Sequence, residues 1–173
     1  MKPDYRYHGR RMTFVTAPGA TQAEQHVARV ASEAARRRGV IGRYHESGDV
    51  PPTDLAVFLG VGETHSHVVE ELRRRDRFAP SSPLTRGAQS SRIASCGNQI
   101  AGSVVIWGAD VEGLWVAVGR FLRGLRWQDG TFSSTGWDDE FRPAFELRGE
   151  VMSSHFTANT FFQWSPRQWF EYL

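Results

Sequence analysis

Apolar and polar positions along the chain fall into two rhythms, one of strands and one of helices. Arg11 to Ala17 is a short run built on Met12, Phe14 and Val15 and closed by Pro18-Gly19, which reads as a strand and a turn. Ala23, Val27, Val30, Ala31 and Ala34 then recur at helical spacing. Thr21 and Glu24 have the spacing of a capping box at the start of that helix, and Gly39 supplies the left-handed residue that ends it. Val40 to Glu46 is a weakly patterned second strand, and Pro51-Pro52 breaks the chain. Asp54 to Gly60 is an apolar run with a Gly-rich exit, the pattern of a strand buried on both faces.

Val68, Val69 and Leu72 mark a second helix that runs to Phe78, and Pro80-Ser81-Ser82-Pro83 is a loop. Ser91 to Ser95 and Ser103 to Trp107 flank a Gly97-Asn98 turn signal and predict a hairpin. Asp110 caps a third helix, whose Leu114, Val118, Phe121, Leu122 and Leu125 form one broad apolar stripe. Gly113 and Gly119 each weaken that helix by roughly 1 kcal/mol relative to Ala, which predicts close packing at both positions. Residues 129–143 are rich in Gly, Ser and Asp and read as a linker. Ala144 to Ser153 reads as a further strand. Ser165 then caps a helix, with Pro166 at its first position, Gln168 closing the capping box, and Trp164 and Trp169 placed as a hydrophobic staple. That helix start is complete while Leu173 follows about two turns later, so the expectation is that the natural protein continues.

Composition narrows the class without naming a function. The 173 residues are 40% hydrophobic and 23% charged, enough to bury one ordinary core. No apolar run approaches the roughly 18 residues needed to cross a bilayer, and Met1 to Arg11 lacks the apolar segment of a secretory signal. A single cysteine, Cys96, rules out an intramolecular disulfide, and a cytoplasmic chain without membrane association is expected. The formal charge of +2 is too small to argue for nucleic acid, and no nucleic-acid partner is expected. Arg36-Arg37-Arg38 and Arg73-Arg74-Arg75 lie at predicted helix ends, where cations oppose the negative pole of the helix dipole.

Three stretches resemble a known group of domains. Val104 to Leu125 (VVIWGADVEGLWVAVGRFLRGL) is similar to the domain that precedes the catalytic barrel in family 20 β-hexosaminidases and family 67 α-glucuronidases, where a Gly-Ala strand end turns through Gly-Leu into a helix. Asp54 to Leu72 resembles the buried strand and following helix of the family 67 enzymes. Arg148-Gly149 with Val151-Met152 resembles the opening of the first barrel strand in family 20. The resemblance covers roughly residues 10 to 155 and its most specific element is Gly108-Ala109-Asp110-x-x-Gly113-Leu114. It implies an α+β fold: an open β-sheet with helices packed on one side, as in the second domain of hexosaminidases. The first strand and helix start of a (β/α)8 barrel would follow. Residues 1–128 would be the accessory domain and 144–173 the beginning of the barrel. The implied function is a non-catalytic supporting domain of a glycoside hydrolase, whose carbohydrate substrate is handled by the barrel. A free-standing glycan- or protein-binding module is the alternative, with a nucleotide-binding α/β domain third.

Two departures limit what carries over. Ser153-Ser154-His155-Phe156 stands where family 20 has its Asp-x-x-Arg element, and the Asn-x-Trp-Asp-Asn element of family 67 is absent. No pair of carboxylates is assignable to acid and nucleophile, so no catalytic residue is expected in this chain. If the barrel reading holds, His155 and Asn159 lie just past its first strand, at the catalytic mouth, with Trp164 near enough to stack on a sugar. The bland reading is that they order a loop. His65-x-His67 after Glu63 lacks further ligands and reads as a helix start, so no metal is expected. Gly60-x-Gly62 lacks the third glycine of a dinucleotide loop, leaving a structural turn and no cofactor. Cys96 beside Gly97 reads as a small strand residue.

Overall fold

The structure is a computed structural model that describes residues 6–46, 50–62, 88–96 and 102–143. It is α+β, with two sheets and two helices among the described residues. The strands are β1 (Arg6–Gly9), β2 (Arg11–Thr16), β3 (Ile41–Glu46), β4 (Leu55–Val61), β5 (Ser91–Cys96), β6 (Gly102–Gly108), β7 (Arg126–Gln128), β8 (Thr131–Thr135) and β9 (Asp138–Phe141). The helices are α1 (Gln22–Arg37) and α2 (Val111–Gly124).

The main sheet has the order β3-β2-β4-β6-β5-β9. Its first four strands are parallel, in registers such as Met12 opposite Leu55 and Leu55 opposite Gly102. β5 and β9 continue it antiparallel, Ile93 facing Ile106 on one side and Asp139 on the other. The hairpin of β5 and β6 therefore forms as expected. β4 is buried at every position except its last, in keeping with its unbroken apolar run.

Alternation along the strands divides the core in two. Met12, Phe14, Leu55, Val57, Leu59, Val104 and Ile106 face α1 and α2. Val15, Ala56, Phe58, Val105 and Trp107 form a second buried cluster on the opposite face. Both helices among the described residues lie on the first face.

On α1 the capping box is present, and Gly39 takes φ +82° after the last turn. The buried stripe, however, is Glu24, Val27, Ala28, Ala31, Ser32 and Ala35, rotated from the expected set. Ala23 is exposed, whereas Val30 and Ala34 are half-buried. The reason is close approach: a Cβ at Gly42 of β3 would run into the carbonyl of Ser32, so the small side of α1 faces the sheet. On α2, Leu114, Val118 and Phe121 are buried as expected, but Leu122 is only partly so. Gly113 packs tightly, since a Cβ there would meet the carbonyl of Ser90. Gly119 faces only the guanidinium of Arg123, at 3.4 Å, and the expected close packing is absent there.

Residues 129–143, expected to be a linker, carry two strands. Asp129 and Gly130 both take positive φ, 47° and 71°, and join β7 to β8 as a two-residue hairpin loop. β8 pairs with β1 to complete a small sheet, β1-β8-β7. Tyr7 of β1 donates its hydroxyl to the carbonyl of Ser103 at 3.2 Å, and its ring lies 5.6 Å from that of Trp137. Phe132 of β8 belongs to the helix-side core, so this second sheet is built onto the same body. The second predicted helix, the Gly97-Asn98 turn, the strand at 144–153 and the barrel start lie outside the described residues.

Candidate functional site

In open sheets of this kind ligands gather beyond the carboxyl ends of the strands, where neighbouring connections leave in opposite directions. Here that point lies between β2 and β4, because β2 leads through α1 to β3 on one flank and β4 pairs on the other. The crevice is occupied by the protein's own carboxylate. Glu24, in the first turn of α1, is 2% exposed. Its Oε2 accepts from the Thr21 backbone N–H at 2.9 Å and the Thr21 hydroxyl at 2.8 Å, and its Oε1 accepts from the N–H of Val61 at 3.0 Å. The carboxylate thus does two things. It caps α1, and it ties the helix start to the exit of β4. A phosphate or other anion approaching this helix end would have to displace it. Gly62, with φ +54°, is exposed and follows β4.

At the opposite ends of the parallel strands a second carboxylate has a similar task. Asp54 Oδ2 accepts from the backbone N–H groups of Arg10 and Arg11 at 2.8 and 3.0 Å. Its Oδ1 accepts from Arg11 Nη2 at 2.8 Å and from Nε at 3.3 Å. Burial pushes this carboxyl up. The Arg11 side-chain hydrogen bond, the two backbone N–H groups and the Arg11 charge outweigh burial and hold it below the usual carboxylate range. The same contact raises Arg11. Asp110 follows the pattern, accepting from the N–H groups of Gly113 and Gln89, each at 2.7 Å, and so joins the α2 start to the segment before β5.

A wide opening lies elsewhere, on the outer side of the helix pair. Val30 and Ala34 of α1 face Trp115, Gly119 and Leu122 of α2 across a groove of about 830 Å³, with Trp127 of β7 as an end wall. Trp127 donates its indole N–H to the carbonyl of Leu122 at 3.2 Å, which fixes the ring and turns its carbon surface to the groove. Arg38 and Arg123 also line it. The sequence holds this feature as a second apolar stripe, Val30 with Ala34 and Trp115 with Gly119 and Leu122, which merges with the core stripe unless the two are separated by helical angle.

His155, Asn159 and Trp164 lie outside the described residues, as do Glu63, His65 and His67. Cys96 ends β5, opposite Ser103. Among the described residues no group of three or more His, Cys, Asp or Glu side chains is placed to hold a metal ion, and no helix is long and apolar enough to cross a membrane.

No protein-family model matches the chain, and no curated protein matches it. Among solved structures 23 chains match. One is an inactive mutant of the family 20 exo-β-N-acetylglucosaminidase of Vibrio harveyi, aligned over 79% of this chain and 17% of that one, with a TM-score of 0.46 and 11% identity. A likeness that distant carries no argument about activity.

Proposed function

We propose that this chain is a supporting domain of a glycoside hydrolase rather than its catalytic part, with the carbohydrate substrate handled by a barrel domain beyond it. The observation that carries the reading is what the Gly108 to Leu114 turn, the most specific element of the resemblance, does in the fold. A Cβ at Gly108 would run into Asp110 and Leu114, and one at Gly113 into Ser90. Asp110 spends both oxygens on backbone N–H groups. The motif is a packing joint between hairpin and helix. Glu24 and Asp54 are likewise engaged with backbone groups, whereas a glycosidase needs two carboxyls facing a common substrate space. The alternative, a binding module, is favoured by the groove between the helices.

The test compares this chain with the product of its complete reading frame on 4-nitrophenyl N-acetyl-β-glucosaminide and on aldobiouronic acids. The expected result is no turnover by the chain alone and turnover by the longer product. Turnover by the chain that a substitution within residues 6–143 abolishes, or a reading frame that encodes no hydrolase domain, overturns the proposal.

A further inference from the structure

We infer that the groove between α1 and α2 is a docking site for a third helix, supplied by a partner protein, with an apolar stripe and carboxylates in its first turn. Three observations lead there. The floor combines the small residues Ala31 and Ala34 with the indoles of Trp115 and Trp127, which gives the side chains of a helix wide apolar walls, and the Arg123 guanidinium lies over Gly119.

Direction comes next. α1 and α2 leave the same ends of parallel strands β2 and β6 and pack back on one face, so both C-terminal ends lie at one end of the groove. Arg38 just past α1 and Arg123 in the last turn of α2 mark that end.

Charge is the third observation. Several arginines of the described surface have an acidic partner: Arg11 with Asp54, Arg36 and Arg37 with Glu33, Arg92 with Asp138, Arg120 with Asp139 and Arg142 with Glu140. Arg38 and Arg123 have none among the described residues, although both are exposed beside apolar surface. A helix laid antiparallel to α1 and α2 brings its N-terminus to this end. Asp and Glu are favoured in a first turn, and there they would face both guanidinium groups. The stretch from Trp115 to Leu125 is about 15 Å long at 1.5 Å per residue, room for roughly ten residues of partner helix. This inference does not rest on the glycosidase reading.

The test pans a displayed library of amphipathic helices against the chain, with the apolar stripe fixed and the flanking positions free among acidic, basic and neutral residues. Enriched clones are expected to carry Asp or Glu in the first turn. They should bind the Arg38→Glu/Arg123→Glu double variant about tenfold more weakly, and lose binding to Gly119→Trp, which fills the floor. Circular dichroism melting confirms that each variant folds, and Arg38→Ala/Arg123→Ala serves if charge reversal does not fold. No enrichment, enrichment without acidic bias, or equal binding to the double variant overturns the proposal. So does a sedimentation result showing that the chain pairs with itself through this groove.

Discussion

Helix α2 presents apolar residues on two sides, and the structure treats them differently. On the inner side Leu114, Ala117, Val118 and Phe121 meet the sheet at no more than 2% exposure. Phe121 stands edge-on to Phe14 with ring centres 6.4 Å apart. On the outer side Trp115, Val116, Gly119 and Leu122 line a groove and stay partly open. Composition does not separate the two sides; only the helical angle does. Apolarity within a helix therefore reports that a face wants cover, while the neighbouring elements decide whether it receives any from within the domain.

The largest way to break this contrast is paired truncation. Phe121→Ala should cost about 3–5 kcal/mol, because a large ring leaves a cavity between α2 and β2 that the sheet cannot close. Leu122→Ala, one residue later, should cost only about 1 kcal/mol, since solvent already reaches its side chain. Urea midpoints of the two variants measure the difference. Equal losses would mean that the outer side is covered in solution.

How far the sequence alone reaches can be judged from particular positions. The capping box at Thr21 and Glu24, the turn at Gly39, the buried run of β4 and the β5–β6 pairing all rest on local signals, and all appear in the structure. β8 and β9 escaped because their alternation is weak: Phe132 is the one buried residue of β8, the middle strand of the small sheet, and β9, at the margin of the main sheet, reads Asp-Asp-Glu-Phe. The Asp129-Gly130 dipeptide between them and β7 was the available clue, since both residues accept positive φ. For the candidate site the limit is different. Glu24 was legible as a cap, but its bond to Val61 joins residues 37 apart in sequence and arises only once α1 is laid against β4. The groove depends in the same way on two helices meeting.

Glu24 is the polar counterpart of the closed side, and its removal is the next largest effect. Glu24→Ala should cost about 2 kcal/mol, combining the lost cap with a β4 N–H left without its acceptor. Glu24→Gln should cost less, because its amide oxygen can serve either Thr21 or Val61 while its NH2 faces the other donor. Hydrogen exchange at the Val61 amide locates the change: faster exchange is expected in the Ala variant, and unchanged exchange would show that Glu24 does not hold this end of the sheet.

Asp54 does comparable work in a wetter place, and its substitution should have the smallest effect and the clearest pH signature. The carboxylate is about a quarter exposed and its Arg11 partner nearly half, so solvent screens much of their attraction. What distinguishes it is the direction of its titration. Its carboxyl is held below the usual range in the folded chain, so folding favours the ionised form. The resulting stabilisation is complete above the unfolded value, about 3.9, and is lost as pH falls through the folded value below it. Asp54→Asn keeps an oxygen for the N–H groups of Arg10 and Arg11 but removes the charge that Arg11 faces. Near neutral pH the variant should therefore be slightly less stable than the wild type. The gap should stay level down to about pH 5 and close as the pH is lowered through 4 toward 3. Melting temperatures of the two proteins across that range measure it. A gap that widens on acidification would mean that burial outweighs the Arg11 contact at Asp54.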